Sequence, residues 1–135
     1  MAERSADWLN QALRDLEQAE ASMEADRHEW ACFAAHQATE KALNALNLAL
    51  GQQAWGHTLT RLWAAVPVKA ELQPAPPEAI EDRLRLLDGF YIPTRYPDSY
   101  PEGMPGEHFG RLQSEQGLSH ATAIIKWVRA ALAAR

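Results

Sequence analysis

The segment from Tyr91 to Asp98 brings together side chains that can contact a nucleotide. Two tyrosines, one arginine and one aspartate occur in it, at Tyr91, Arg95, Tyr96 and Asp98. Aromatic rings beside a guanidinium can stack on a base while the arginine binds phosphate. We favour the structural interpretation over ligand contact: in it the tyrosines pack this segment onto the protein and Arg95 pairs with Asp98 or with a helix end. The segment is the first candidate ligand site.

A stripe of polar residues is the second candidate. It consists of His36, Gln37, Glu40, Lys41, Asn44 and Asn47. The spacing of three and four places these residues on one face of a helix whose other positions are mostly apolar. We interpret the stripe as a solvent-exposed face, because such faces are ordinary on the helices of a bundle. The alternative is that it faces a cleft or a second subunit, in which case Gln37 and Lys41 contact a ligand.

His57 is the third candidate, in the sequence Gly56-His57-Thr58. Its imidazole can cap a turn, or it can act on a ligand as a hydrogen-bond donor or general base. For a lone histidine the structural role is the more ordinary one. His57 and Arg95 are nevertheless the residues to consider if the protein catalyses a reaction.

Other catalytic and metal sites are not indicated by the sequence. It has no Walker loop, GxGxxG, HExxH or GxSxG motif, and no Glu lies three residues before a His as in di-iron bundles. Cys32 is the only cysteine and is predicted to be buried and unreactive. We therefore predict no metal site and no cofactor.

The elements that position these candidates are helices. Apolar residues at helical spacing, together with prolines that end the helical patterns, predict helices at about 5–25, 29–50, 58–66, 77–93 and 111–134. Pro77 is expected in the first turn of the fourth helix. The helix at 29–50 is apolar around more than half of its circumference and should be central. Between 93 and 106 a proline at every fourth position predicts a loop.

The predicted fold is all-α. Four long helices and one short helix, joined mostly by modest connections, indicate an up-and-down antiparallel bundle, and strand patterns are nearly absent. The length of 135 residues matches one domain, residues 1–135. The charged start of the chain indicates no signal peptide, and no apolar run approaches the roughly 18 residues of a membrane span. We expect a cytoplasmic protein without a membrane partner.

The net charge of −5 limits how the protein can bind nucleic acid. Non-specific binding depends on several Lys and Arg side chains that neutralise phosphates. An acidic chain with few lysines does not predict a broad phosphate-binding surface. Any contact with nucleic acid should be local.

Three separated segments resemble the HEPN family of small helical bundles. They are Trp30-Ala31-Cys32-Phe33-Ala34-Ala35-His36-Gln37-Ala38-Thr39-Glu40-Lys41-Ala42-Leu43, Gly56-His57, and Tyr91-Ile92-Pro93-Thr94-Arg95-Tyr96-Pro97-Asp98. They occur in the right order across nearly the whole chain. The resemblance implies a bundle that dimerises, a role in nucleotide binding, and pairing with a small nucleotidyltransferase, sometimes as toxin and antitoxin.

Many members of the family are ribonucleases, and here the sequence departs from their pattern. Their active site has an Arg followed after four to six residues by a His near the start of the last helix. No Arg in this chain is followed by a His at that spacing. After Arg95, a five-residue step reaches Tyr100, and the next histidine is His108. Tyrosine is a poor proton acceptor at neutral pH.

The sequence therefore favours a homodimeric, non-catalytic HEPN-type module that binds a nucleotide or RNA and partners a nucleotidyltransferase. Arg95 would bind phosphate, Tyr96 would stack on a base, and Lys41 with His57 would donate hydrogen bonds. The first alternative is a metal-independent ribonuclease with a non-standard active site. The second is a purely structural dimerisation module.

Overall fold

A computed structural model describes residues 3–135, and over that range the protein is helical without strands. Met1 and Ala2, which contribute to the prediction that the chain has no signal peptide, lie outside the described residues. The helices are α1 (Ser5–Glu24), α2 (His28–Ala49), α3 (Leu59–Ala64), α4 (Ile80–Asp88), α5 (Pro105–His108) and α6 (Arg111–Ala133). The all-α prediction is confirmed. None of these helices is long and apolar enough to cross a membrane.

The α2 helix is the centre of the structure and packs against each of the five other helices. Its most extensive contacts are with α1 and then with α6. Buried alanines are distributed along it, among them Ala35, Ala38 and Ala42, so neighbouring helices approach its backbone closely. Leu43 and Leu46 fill the core beside them. The prediction of a central second helix is confirmed.

The α4 helix is shorter than the sequence predicts. It has nine residues, begins at Ile80 and ends at Asp88, whereas the apolar spacing suggested residues 77–93. Ala79 has a φ of 54°, in the left-handed region that interrupts a right-handed helix, so Pro77 lies outside α4. Three helices of the bundle are therefore long, and Tyr91 follows α4 instead of belonging to it.

The proline-rich loop contains two short helical segments that the sequence did not predict. A 3₁₀ turn spans Pro97–Ser99, and α5 spans Pro105–His108. Each begins with a proline. At the first position of a helix the backbone N–H, which proline lacks, would have no acceptor within the helix. The prolines of this loop therefore begin short helical turns, although they prevent a long helix.

Candidate functional site

The polar stripe on α2 is largely buried, so its interpretation as an exposed face is wrong. His36, Glu40 and Asn47 lie in the interior, while Gln37 and Lys41 are half-buried at its margin. A buried polar group is costly unless another group satisfies it. The partners of His36, Glu40 and the Asn47 amide nitrogen include groups in the connection to α3 and in α3 itself, whereas the buried Oδ1 of Asn47 has no hydrogen-bond partner within residues 3–135.

His36 and Asn47 attach α3 and its preceding loop to α2. His36 Nε2 lies 3.0 Å from the backbone carbonyl oxygen of His57 and donates a hydrogen bond to it. Asn47 Nδ2 donates to the carbonyl oxygen of Leu62 at 3.0 Å. These bonds fix the position of the His57 backbone relative to α2.

Glu40 orients the side chain of His57. Its Oε1 lies 2.8 Å from His57 Nδ1, and the carboxylate side chain is 10% exposed whereas the imidazole is 56% exposed. The carboxylate accepts a hydrogen bond from Nδ1–H of His57, so Nε2 of the same ring is turned away from Glu40. Within residues 3–135, Nε2 of His57 has no hydrogen-bond partner.

Tyr91 connects His57 to Arg95. The Tyr91 ring is stacked on the His57 ring, with centroids 4.8 Å apart and planes 19° apart. On the following turn, Arg95 donates from Nε to the carbonyl oxygen of Tyr91 at 2.9 Å. Its guanidinium carbon lies 4.7 Å from the centroid of the Tyr91 ring.

Three aromatic rings surround the Arg95 guanidinium. Its central carbon lies 4.3 Å from the centroid of Phe33 and 5.1 Å from that of Tyr96, in addition to the contact with Tyr91. We call the group of Phe33, His57, Tyr91, Arg95 and Tyr96 the Arg95 cluster. Among the described residues no carboxylate lies within 4.0 Å of this guanidinium. The expected structural pairing of Arg95 with Asp98 is therefore not formed.

The other residues predicted from the sequence lie at different distances from this cluster. Gln37 is next to it, because its side-chain amide contacts His36 Nδ1 at 3.2 Å. Lys41 lies farther along α2 and forms an ion pair with Asp15 of α1. Asp98 is exposed in the 3₁₀ turn and makes none of the contacts of the Arg95 cluster.

Two members of the site are not assigned to it by the sequence analysis. Phe33 appears there only within the segment that resembles the HEPN family, and Glu40 only in that segment and in the polar stripe. The signal that could have found them is the spacing Phe33, His36 or Gln37, Glu40, which places these residues on successive turns of one face.

A groove between α1 and α2 adjoins the Arg95 cluster. Its volume is about 510 Å³, and its lining includes Gln18, Trp30, Phe33, Gln37 and the Asp15–Lys41 ion pair. Phe33 belongs to both, since its ring lines the groove and contacts the Arg95 guanidinium. The groove and the cluster therefore adjoin at Phe33.

Burial sets the protonation of the ionisable groups beneath this surface. It raises the pKa of the Cys32 thiol to about 12, with a further contribution from the charge of Glu29, so the thiol stays protonated and unreactive. Burial also lowers the pKa of His36, against the opposing effects of Gln37, Glu40, the His57 carbonyl and Asp88. Burial thus favours the neutral form of His36. No three His, Cys, Asp or Glu side chains in residues 3–135 are grouped so that they could hold a metal ion.

Comparison with known proteins gives consistent relatives. The family model described as the HEPN domain matches residues 5–131. Among solved structures, TT1696 from Thermus thermophilus is 42% identical with a TM-score of 0.88, over 96% of this chain and 98% of that one. ST0689, described as an archaeal HEPN homologue, is 34% identical with a TM-score of 0.78, over 97% and 99% of the two chains.

A third solved structure is an HEPN domain protein from Thermotoga maritima, tm0613. It is 28% identical to this chain with a TM-score of 0.70, over 94% of this chain and 98% of that one. No curated protein matches the chain significantly. In all three comparisons the match covers nearly the full length of this chain and of the solved chain.

Proposed function

This chain belongs to the HEPN domain family, and we propose that it is a non-catalytic module that binds a nucleotide or RNA at the Arg95 cluster. The family is associated with nucleotides and RNA. Within this chain, the cluster contains the groups that such a ligand requires, a cation for phosphate and aromatic faces for bases.

The main support for this proposal is the half-buried Arg95 guanidinium, which has no carboxylate partner among the described residues. A guanidinium that is half-buried among aromatic rings has lost part of its hydration, and in most proteins a carboxylate compensates for that loss. Arg95 has instead the Tyr91 carbonyl and three ring faces. Its remaining N–H groups suit the oxygens of a phosphate, which an arginine can bind in a bidentate manner.

Titration of the protein with nucleoside monophosphates and short single-stranded RNAs tests this proposal. Arg95→Ala should weaken binding about tenfold or more, the effect expected when a charge-assisted hydrogen bond is lost. Arg85→Ala is the matched control, because Arg85 is exposed and pairs with Glu81 and Asp82 on α4. If neither the wild type nor the control variant binds any of these ligands, the proposal is wrong.

The proposed assembly is a homodimer that partners a nucleotidyltransferase in a two-component system of the toxin–antitoxin kind. Support for it comes from membership of the family, in which such pairing is frequent. Co-expression with a nucleotidyltransferase encoded beside the gene, followed by purification and sedimentation analysis, tests both parts. A purely structural module would form these assemblies and bind no nucleotide alone.

The Glu40–His57 pair favours a second candidate, a metal-independent ribonuclease. His57 Nε2 would remove the proton from a ribose 2′-hydroxyl, which then attacks the adjacent phosphate. The bond to the 5′-oxygen breaks and a 2′,3′-cyclic phosphate forms, while the leaving oxygen takes a proton from the histidine. Labelled RNA incubated with the wild type, His57→Ala and Glu40→Gln distinguishes the candidates. Cleavage that both variants abolish would favour the enzyme, and no cleavage by the wild type would favour the binding module.

A further inference from the structure

The groove between α1 and α2 has an aromatic wall that is accessible to a ligand. Trp30 remains 50% exposed although it lies beside Phe33, with ring centroids 6.1 Å apart and planes 81° apart. An indole of this size is usually more deeply buried in a protein of ordinary packing. Its free face can stack on a flat ring that enters the groove.

The groove also presents amide groups beside the aromatic wall. Gln18 donates from Nε2 to Ser22 Oγ at 3.0 Å, and its carbonyl oxygen has no partner among the described residues. Gln37 Oε1 lies 3.2 Å from His36 Nδ1, and the amide nitrogen of Gln37 has no partner among the described residues. Side-chain amides recognise the donor and acceptor edges of bases, and glutamine pairs with adenine in this way.

Trp30, Phe33 and Arg95 follow one another in an order that suits the base, the sugar and the phosphate of a nucleotide. The Phe33 ring lies between them, 6.1 Å from Trp30 and 4.3 Å from the Arg95 guanidinium. A base against Trp30 would therefore place its sugar over Phe33 and its phosphate toward Arg95. The volume of about 510 Å³ falls within the range of small-molecule sites and accommodates one nucleoside.

We propose that this groove is a nucleobase pocket, so that the surface binds one nucleoside monophosphate unit with its base between α1 and α2 and its phosphate at Arg95. The inference rests on the proposed function, because Arg95 must bind phosphate for the unit to be aligned. It adds that a base is required for tight binding. The unit is either a free nucleotide or the phosphorylated end of an RNA.

Calorimetric titration with the four nucleoside monophosphates and with ribose 5-phosphate tests the requirement for a base. Nucleotides should bind about tenfold or more tightly than ribose 5-phosphate, since stacking on an aromatic ring contributes about 1–3 kcal/mol per base. Trp30→Ala should remove most of this difference and leave the affinity for ribose 5-phosphate unchanged. Gln37→Met, which keeps the size but removes the amide, should reduce the difference among the four bases.

Trp8→Ala is the matched control, because Trp8 is a partly exposed tryptophan of α1 outside the lining of the groove. Circular dichroism and urea unfolding of each variant establish that it is folded. The pocket is ruled out if ribose 5-phosphate binds as tightly as the nucleotides and Trp30→Ala changes neither affinity. That result leaves the phosphate site at Arg95 intact, whereas absence of all binding overturns the phosphate site and the pocket together.

Competition experiments separate the two sources of the nucleotide unit. A linear RNA oligonucleotide with a terminal phosphate is compared with the same sequence circularised, each competing against a bound nucleoside monophosphate. Competition by the linear form alone identifies an RNA end, and competition by neither identifies a free nucleotide. Equal competition by both forms, unaffected by Trp30→Ala, would overturn the pocket.

Discussion

Burial of His36 connects the stability of the fold to pH. The side chain is fully buried on α2, and its Nε2–H is used by the His57 carbonyl oxygen. Glu40 and Asp88 favour the protonated form by their charges, yet burial outweighs them and lowers the pKa of His36. The folded protein therefore resists a proton that the unfolded chain accepts at a pKa of about 6.5.

This difference predicts that the free energy of unfolding falls as the pH drops below about 6.5, because the unfolded state then binds more protons. A single group changes that free energy by at most about 1.4 kcal/mol per pH unit. Urea unfolding at pH about 7.5 and about 5.5 measures the fall. In His36→Gln, which lacks the titrating ring, the fall should be smaller.

His120 provides an independent comparison for this prediction, because it should contribute to the same pH dependence. Its pKa is also lowered by burial and by Arg83, so His120→Gln should remove a separate share of the pH dependence. The two shares should add, since the residues lie on different helices and share no partner. An unchanged fall in His36→Gln would contradict the assignment.

Asp88 holds the start of α3, the helix that follows His57. Thr58 at the N-cap makes no side-chain capping bond. Instead the carboxylate at the end of α4 accepts hydrogen bonds from the backbone N–H of Leu59 at 2.6 Å and of Thr60 at 3.2 Å. A residue from another helix thus satisfies two donors that the first turn of α3 leaves free.

Asp88→Ala should lower the free energy of unfolding by about 1–2 kcal/mol, as the loss of an N-cap does. Urea unfolding at neutral pH measures the change. Asp82→Ala is the matched control on α4, because Asp82 is exposed and pairs only with Arg85 at the surface. It should cost less than about 0.5 kcal/mol. Equal costs for the two variants would show that Asp88 does not cap α3.

The helices differ in how far the sequence predicts them. Periodicity alone predicted α1, α2 and α6 to within a few residues, since long amphipathic stripes carry many independent signals. It is wrong for α4 at both ends. The left-handed backbone at Ala79, which the residue type does not predict, delays the start of the helix, and the helix ends at Asp88 although the apolar spacing continues to Tyr91. The bounds of short elements depend more on their neighbours than on their own residues.

The candidate site was predictable only in part, for a similar reason. The sequence pointed to Arg95, Tyr91 and His57 by residue type. It did not predict that Glu40 pairs with His57, 17 positions away, or that His36 bonds to the His57 carbonyl, 21 positions away. A polar stripe looks the same in sequence whether water or a distant backbone satisfies it.

For the molecule as a whole, the net charge of −5 determines what kind of RNA binding is compatible with the Arg95 cluster. The cluster contains one arginine, and the adjoining groove adds Arg27, while its Lys41 is neutralised by Asp15. A surface of this kind releases few counterions when it binds a phosphate chain. Affinity should therefore come mainly from stacking and hydrogen bonds, with a small electrostatic share.

The salt dependence of binding measures that share. For single strands the slope of log K against log salt is about −0.7 for each phosphate contacted, so a site in which Arg95 binds one phosphate should give a slope of about −0.7. Arg95→Ala should flatten the slope by about 0.7, and Arg85→Ala should leave it unchanged. Fluorescence anisotropy of a labelled short RNA between about 50 and about 200 mM salt supplies the values. A slope steeper than about −4 would require a broad cationic surface and would contradict binding at a single cluster.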